Sequence, residues 1–224
     1  MKIRRIWEIA FSGFFHVKNE QTAVLTQYHV KTSYQDQFFK VLSQYTLSSI
    51  ASTGNVMAEA YYERGDVCVM WIIERWNCRI AYEKHKSSIA AKAIGALVKV
   101  GIVEPVKNFF LQELEIFSKE ISRDALTILL FIDVRPGTEE RFKSINRDLM
   151  PVIRRAPGVL LFQLSQIVAH KTRFVVYKKL RNWDTFQYHL KEPALAPLMQ
   201  FLQTSIAVPP FENGYHHLIQ FGQR

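Results

Sequence analysis

The sequence of 224 residues holds only two cysteines, Cys68 and Cys78. They form no Cys-x-x-Cys pair and have no second Cys/His cluster at zinc-ligand spacing, which leaves a disulfide scaffold and a zinc domain without support. A reduced, cytoplasmic setting is the expectation. No apolar run approaches the ~18–20 uncharged residues that would span a bilayer. No secretory leader is expected at the N-terminus either. Glu8 interrupts its apolar stretch, and Phe14, Phe15 and His16 stand where small cleavage-site residues belong. No Gly-x-Ser-x-Gly elbow is present, so serine hydrolysis has no support. The pair His216-His217 sits in a β-rich run, where neighbours point to opposite faces. It cannot clamp one metal, and adding His29 does not complete a site, so no metal is expected.

What is present is core-forming material. The chain is 48% hydrophobic, 13% aromatic and 22% charged, a composition that folds rather than stays disordered. The net charge of +9 is unevenly spread. Residues 126–224 carry thirteen basic against seven acidic side chains, while 23–117 carry ten against nine. The excess includes Arg154-Arg155, Lys171, Arg173, Lys178-Lys179 and Arg181. No recognition element for nucleic acid accompanies it, so a solvated basic face is expected and no nucleic-acid partner.

The strongest signal is internal repetition. One offset of 104 residues aligns Val30 with Val134, Phe38 with Phe142, Gly54 with Gly158, His85 with His189 and Ala90 with Ala194. It continues through Pro105 and Pro209, Leu114 and Leu218, Phe117 and Phe221, so the expectation is a gapless duplication. Each copy begins with a β-rich run, Ala23–Lys31 or Leu126–Arg135. A helix follows with apolar residues at three-to-four spacing, Phe38, Val41, Leu42, Tyr45 and Ile50 or Phe142, Ile145, Leu149 and Ile153. Gly54 and Gly158 are read as helix stops. A hairpin comes next, Val56–Glu63 with Val67–Glu74 or Leu160–Val168 with Thr172–Lys178. The unit ends with a helix over Arg79–Val100 or Asp184–Gln203 and a strand, Phe109–Phe117 or Tyr215–Phe221.

This βαββαβ order is the ferredoxin-like plan. Val67, Val69, Trp71 and Ile73 alternate with Cys68, Met70 and Ile72, so both sheet faces are apolar and both need cover. The predicted organisation is an α+β chain: an N-terminal extension over 1–22, a first repeat over 23–117, a linker over 118–125 and a second repeat over 126–224. The two repeats pack sheet to sheet as a pseudo-dimer within one chain. Residues 1–22 form an amphipathic extension that packs on the body or mediates self-association.

The segment running from Glu74 to His85 resembles the signature of the antibiotic-biosynthesis-monooxygenase domain family. Its marks are a strand ending in Glu-x-Trp, here Glu74 and Trp76, and a helix with an apolar residue three positions before a histidine, here Tyr82 and His85. The second copy departs from it, with Lys178 for Glu74, Leu180 for Trp76 and Phe186 for Tyr82, and retains only His189. The resemblance implies a dimeric α/β barrel with a pocket between the sheet and the helices of each unit. It also implies oxidation of an aromatic or quinol-like small molecule by dioxygen without metal or flavin. His85, Trp76 and Glu74 are then the candidate catalytic residues: proton acceptor, pocket wall and orienting carboxylate. Tyr82, Trp71 and His189 are candidate substrate-binding residues. Other relatives bind and degrade haem, using an asparagine on the first strand. The matching places here are Thr26 and Leu130, so the expectation is no cofactor, with haem as the alternative. The competing class is a non-catalytic ligand-binding or assembly protein, in which the histidines fix helix to strand, Trp76 packs and Glu74 pairs with Arg75 or Arg79 at the surface.

Overall fold

The computed structural model describes residues 21–115, 125–210 and 214–222. Most of the predicted extension and linker lie outside the described residues. The first repeat runs β1 (Thr22–His29), α1 (Gln35–Ile50), β2 (Asn55–Glu63), β3 (Asp66–Trp76), α2 (Arg79–Lys86), α3 (Ile89–Gly101) and β4 (Lys107–Glu113). The second runs β5 (Leu126–Val134), α4 (Glu139–Arg155), β6 (Val159–Ile167), β7 (Arg173–Leu180), α5 (Trp183–Leu190), α6 (Ala196–Ser205), a short β8 (Ile206–Val208) and β9 (Tyr215–Phe221).

Each repeat pairs its strands antiparallel, in the order β4-β1-β3-β2 and β6-β7-β5-β9. The two sheets then join edge to edge. At one seam β2 pairs with β9, from Ala60 opposite Phe221 to Glu63 opposite Leu218. At the other β4 pairs with β6, from Leu111 opposite Ile167 to Glu113 opposite Ser165. The result is a closed antiparallel barrel of eight strands, with β8 attached outside the ring to β5. The sheets face each other as expected, and closure also satisfies the edges that each would otherwise leave bare.

Strand alternation divides the side chains between two kinds of core. Leu25, Met57, Tyr61, Trp71, Ile73, Leu129, Phe131, Val175 and Tyr177 fill the barrel. Tyr28, Ala60, Met70 and Ile72 face outward beneath Phe38, Leu42 and Ile94 of α1 and α3. The equivalent outer layer of the second repeat packs Leu130, Ile132, Phe162, Leu164 and Val176 beneath Phe142, Leu149, Ile153 and Phe201. Both faces are therefore buried, which explains the weak hydrophobic alternation.

Three expectations are corrected. The 104-residue offset holds as far as the bridges Val30–Ile102 and Val134–Ile206, but not in the last strand. Ala23 lies opposite Leu111 while Thr127 lies opposite Leu218, an offset of 107 that reflects three extra residues between Ile206 and Tyr215. Each predicted long second helix is broken. Ser88 caps α3 by accepting from Ala91 N at 3.1 Å, and Pro193 opens a single 3-10 turn, Pro193–Leu195, before α6. Gly54 and Gly158 do not stop the helices, which end at Ile50 and Arg155. They stand beyond, with φ of +88° and +81°, where a Cβ would strike Asn77 and Ala81 or Thr185.

Candidate functional site

Glu74 and Trp76 end β3 with their side chains on the outer face, toward the helices. Trp76 packs with Val24 and Tyr82, and the ring of Tyr82 meets Phe110 at 5.9 Å. Helix α1 presents Tyr45 and Ser49 from successive turns of one face, at the spacing that brings helix side chains together, and Ser52 follows just past its C-terminus. Helix α2 places His85 one turn after Tyr82. These elements converge on a compact polar cluster.

Glu74 is 2% exposed and accepts from the Tyr45 hydroxyl at 3.0 Å and from Ser49 at 3.2 Å. Ser49 Oγ also lies 2.9 Å from His85 Nε2 and 2.9 Å from its own helix's Tyr45 carbonyl. Ser52 Oγ lies 3.0 Å from His85 Nδ1. One serine hydroxyl thus stands between a carboxyl and an imidazole, and its single proton can serve only one of the neighbouring acceptors. The His85 ring is flanked by Tyr45 at 4.9 Å and Trp76 at 5.1 Å between centroids.

Burial pushes the Glu74 carboxyl up to about 7, opposed by Tyr45, Ser49, Trp76 and Lys86. Among the described residues the Trp76 indole N–H has no acceptor at hydrogen-bond distance, so its help to Glu74 is longer-ranged. Burial lowers the His85 imidazole from its usual value, which leaves it neutral at pH 7. Tyr45 is raised by burial and then by Glu74, so it stays protonated and donates to the carboxyl. The cluster can hold one proton, near neutrality, shared along Glu74–Ser49–His85.

The candidate residues are only partly brought together. Glu74, Trp76, Tyr82 and His85 meet in one place, whereas Trp71 does not. Trp71 points into the barrel, where its Nε1 donates to Glu63 Oε1 at 3.0 Å and its ring meets His216 at 5.1 Å. A shift of odd residue number along a strand changes the face, which rules Trp71 out of this group. His189 belongs to the second repeat's helical layer. There burial and then Lys178 push its imidazole down to about 4, and its Nδ1 has no hydrogen-bond partner among the described residues. His216 and His217 face opposite sides, the first toward Glu63 at 2.9 Å and the second stacked on Trp183. Glu74 is not at the surface: Arg75 pairs inside the barrel with Glu113 at 2.6 Å, and Arg79 pairs with Glu83.

Sequence reasoning missed Ser49 and Ser52 and read Tyr45 as an apolar core residue. The signal lay in the repeat itself, because the 104-residue offset places Leu149, Ile153 and Ala156 opposite these three hydroxyls. It also missed a polar cluster inside the barrel. Glu59 accepts from Lys179 at 2.6 Å, Tyr177 at 2.6 Å and Tyr61 at 2.8 Å. Nor does the basic excess form one face. Lys178 and Lys179 are buried, while Arg154 and Arg173 pair with Glu115 and Asp133 at 2.7 Å.

The residues do not fit a haem. Thr26 is tied to Asn108 Oδ1 at 3.1 Å, Leu130 is packed in the outer core, and both nitrogens of His85 are engaged by serines. An open groove of about 980 Å³ runs along the β4–β6 seam past Arg79, Asn108, Phe110 and His170. None of Glu74, Trp76, Tyr82 and His85 lines it, and the Phe110–Tyr82–Trp76 rings stand between. Among the described residues, no helix is long and apolar enough to cross a membrane.

Comparison with known proteins bears on the fold. A model of the family described as antibiotic biosynthesis monooxygenase matches residues 125–197. The match falls on the second repeat, the copy without the Glu-x-Trp strand end. A candidate monooxygenase from Fusobacterium nucleatum subsp. nucleatum superposes with a TM-score of 0.79 at 16% identity, covering 90% of this chain and 92% of that one. One from Lactobacillus acidophilus gives 0.76 at 12% identity, over 89% and 93%. An anthrone oxidase-like protein gives 0.63 at 10% identity, over 92% and 95%. The search of curated proteins gives no match. The chain thus resembles the antibiotic biosynthesis monooxygenase family, and it has the fold of full-length tandem α/β barrels.

Proposed function

We propose that the protein is a cofactor-independent monooxygenase of an aromatic or quinol-like small molecule, with its chemistry in the first repeat. The observation that carries this reading is the Glu74–Ser49–His85 arrangement: a carboxyl poised near neutrality, one hydroxyl away from a neutral imidazole, beneath the Trp76 ring. Such a pair can accept the proton of a phenol or enol at pH 7, where an ordinary carboxylate is too weak a base. The resulting electron-rich carbanion is the reductant of dioxygen. Conversion of an activated CH₂ to C=O takes four electrons from the substrate. One oxygen atom enters the carbonyl and the other leaves as water, so neither metal nor flavin is needed.

In this reading His85 receives the proton, Glu74 holds it through Ser49, and Trp76 and Tyr82 form the wall against the substrate. The test is oxygen uptake with a panel of reduced quinones and anthrones. His85→Ala should lower turnover by roughly 10²–10⁴-fold, Glu74→Gln should shift its pH profile, and His189→Ala should leave it near wild type. No loss in His85→Ala, or equal loss in His85→Ala and His189→Ala, would refute the assignment. One observation favours a second reading, a non-catalytic binding protein. The four residues are buried together behind Phe110, and the 980 Å³ groove does not reach them. Absence of oxygen uptake across the whole panel would decide for it.

A further inference from the structure

The groove along the β4–β6 seam plays no part in the proposed chemistry, and it is built as a docking surface. Its volume of about 980 Å³ stands at the upper end of the ~300–1,000 Å³ of small-molecule pockets. Two bare aliphatic side chains belong to its walls, Ile80 of α2 and Val168 just past β6, 74% and 63% exposed. Phe109 and Phe110 of β4 add half-buried rings. A single exposed aliphatic is ordinary, but two on the walls of one apolar groove make a patch that calls for cover.

The groove also holds an open strand edge. Strand β4 pairs with β6 only from Leu111 to Glu113, and Val168 N then donates to Phe110 O at 2.9 Å. Beyond Val168 the chain turns away, with His170 N donating back to Ile167 O. Alternation points the main-chain N–H and C=O of Asn108 to the same side as those of Phe110. Among the described residues no strand pairs with Asn108 on that side. Such an edge offers main-chain partners to an added segment, and the flanking apolar groups offer contacts for its side chains.

The chain itself supplies a segment that starts in the right place. Gln21 and Thr22, the first described residues, line the groove, so residues 1–20 join the body at its wall. They carry Ile6, Trp7, Ile9, Phe11, Phe14 and Phe15, more apolar surface than a solvated tail needs. Their reach is up to about 66–72 Å, against roughly 23 Å for the seven residues of β4. Residues 116–124 also start at this groove, from Glu115, but hold only Ile116, Phe117 and Ile121 among polar residues and must return to Ala125. We propose that residues 1–20 of the same chain dock in the β4–β6 groove, with Trp7 and its apolar neighbours against Ile80, Phe110 and Val168. The segment then covers the outer side of the Phe110–Tyr82–Trp76 rings. The inference stands apart from the oxygenase reading, since it requires no turnover.

Photo-crosslinking in the full chain tests it. Ile80, or in a second variant Val168, is replaced by p-benzoylphenylalanine; both side chains are exposed, so the fold should tolerate the change. At least one label should join the tryptic peptide 6–18 of its own chain. The same label at Ile89, 88% exposed and outside the groove, should give at most a tenth of that product. Trp7→Glu/Phe11→Glu should lower the yield at least tenfold. Irradiating a mixture of ¹⁵N-labelled and unlabelled chains should give no product that joins the two. Products on 116–124 instead of 6–18, or products between labelled and unlabelled chains, would assign the groove to the linker or to a second copy and overturn the proposal. Equal yield from Ile89, yield that survives Trp7→Glu/Phe11→Glu, or no product from either groove label would overturn it as well.

Discussion

The two halves are joined by a largely buried ion pair, and breaking it should be costly. Lys179, on β7 of the second repeat, lies 2.6 Å from Glu59 on β2 of the first, and both are buried within the barrel. Tyr61 and Tyr177 give their protons to the other oxygen of Glu59 and lie 3.0 Å from each other. Lys179→Met keeps most of the side chain's volume and removes only the charge, so Glu59 is left buried with two hydroxyls for company. Removing one member of a buried pair typically costs about 3–5 kcal/mol. For a chain of this size that corresponds to a fall of roughly 6–20 °C in melting temperature. The double variant Glu59→Gln/Lys179→Met leaves no buried charge and should recover most of the loss. The pH dependence has a defined sign. Burial alone would raise Glu59, but Lys179 and the hydroxyls outweigh it and hold the carboxyl below its usual 4.5. Its contribution is therefore present above pH 4.5 and is lost as pH falls through the folded value, so the gap between wild type and Lys179→Met should close in acid. Thermal and urea denaturation of the two single variants and the double variant, at pH 7 and pH 4, measure all of this. A Lys179→Met cost below about 1 kcal/mol, the range of exposed pairs, would refute the reasoning.

Three further outcomes are expected. Glu74 is the opposite case from Glu59: burial raises it from 4.5 to about 7, so wild-type stability should decline by roughly 3 kcal/mol as pH rises through that window, and Glu74→Gln should flatten the decline. Denaturation between pH 4.5 and 7.5 reads it. Gly54→Ala should destabilise by about 1–3 kcal/mol, because its positive φ and its contact with Asn77 both exclude a Cβ, whereas Gly65→Ala, with open space around it, should not. Each repeat expressed alone should aggregate or pair with its own copy, as light scattering would show. The barrel lining and the edges of β2 and β4, or of β6 and β9, would lie open.

Much of this fold is legible in the sequence, for a physical reason. The duplicated hydrophobic pattern fixes the βαββαβ order, and strands apolar on both faces require cover on both, which one chain provides only by pairing its two sheets. The last strand of the second repeat is misread because Leu218 and Phe221 match Leu114 and Phe117 in type. A three-residue insertion in the connecting segment between Ile206 and Tyr215 leaves no mark on such a pattern. The candidate site is legible where it depends on spacing along one element, as with Glu74 and Trp76 on β3 or Tyr82 and His85 on α2. It is not legible where it depends on a second element's facing side. Ser49 looks like an ordinary surface helix residue, and Ser52 like a turn residue after the helix, until α1 is laid over β3. Trp71 shows the converse: its chemistry suits a ligand wall, but strand parity sends it into the barrel, where Glu63 takes its indole N–H.

Covalent linkage of the two units explains why their outer layers differ. In a symmetric dimer of single units, any change beneath the helices appears twice, so an acidic cluster and a buried amine cannot occupy the same position. Here β3 and β7 carry Glu74 and Lys178 at that shared position, and the surroundings have followed each choice. Around Glu74 the helix face supplies Tyr45 and Ser49 as donors. In the second repeat the equivalent helix positions carry Leu149 and Ile153, whose side chains can neither donate nor accept. The barrel interior shows the reverse demand. There Glu59 of one repeat needs Lys179 and Tyr177 of the other, so neither half can change alone without leaving a buried charge. The shared interior thus constrains the halves to remain partners, and the separate helical layers leave them free to do different chemistry.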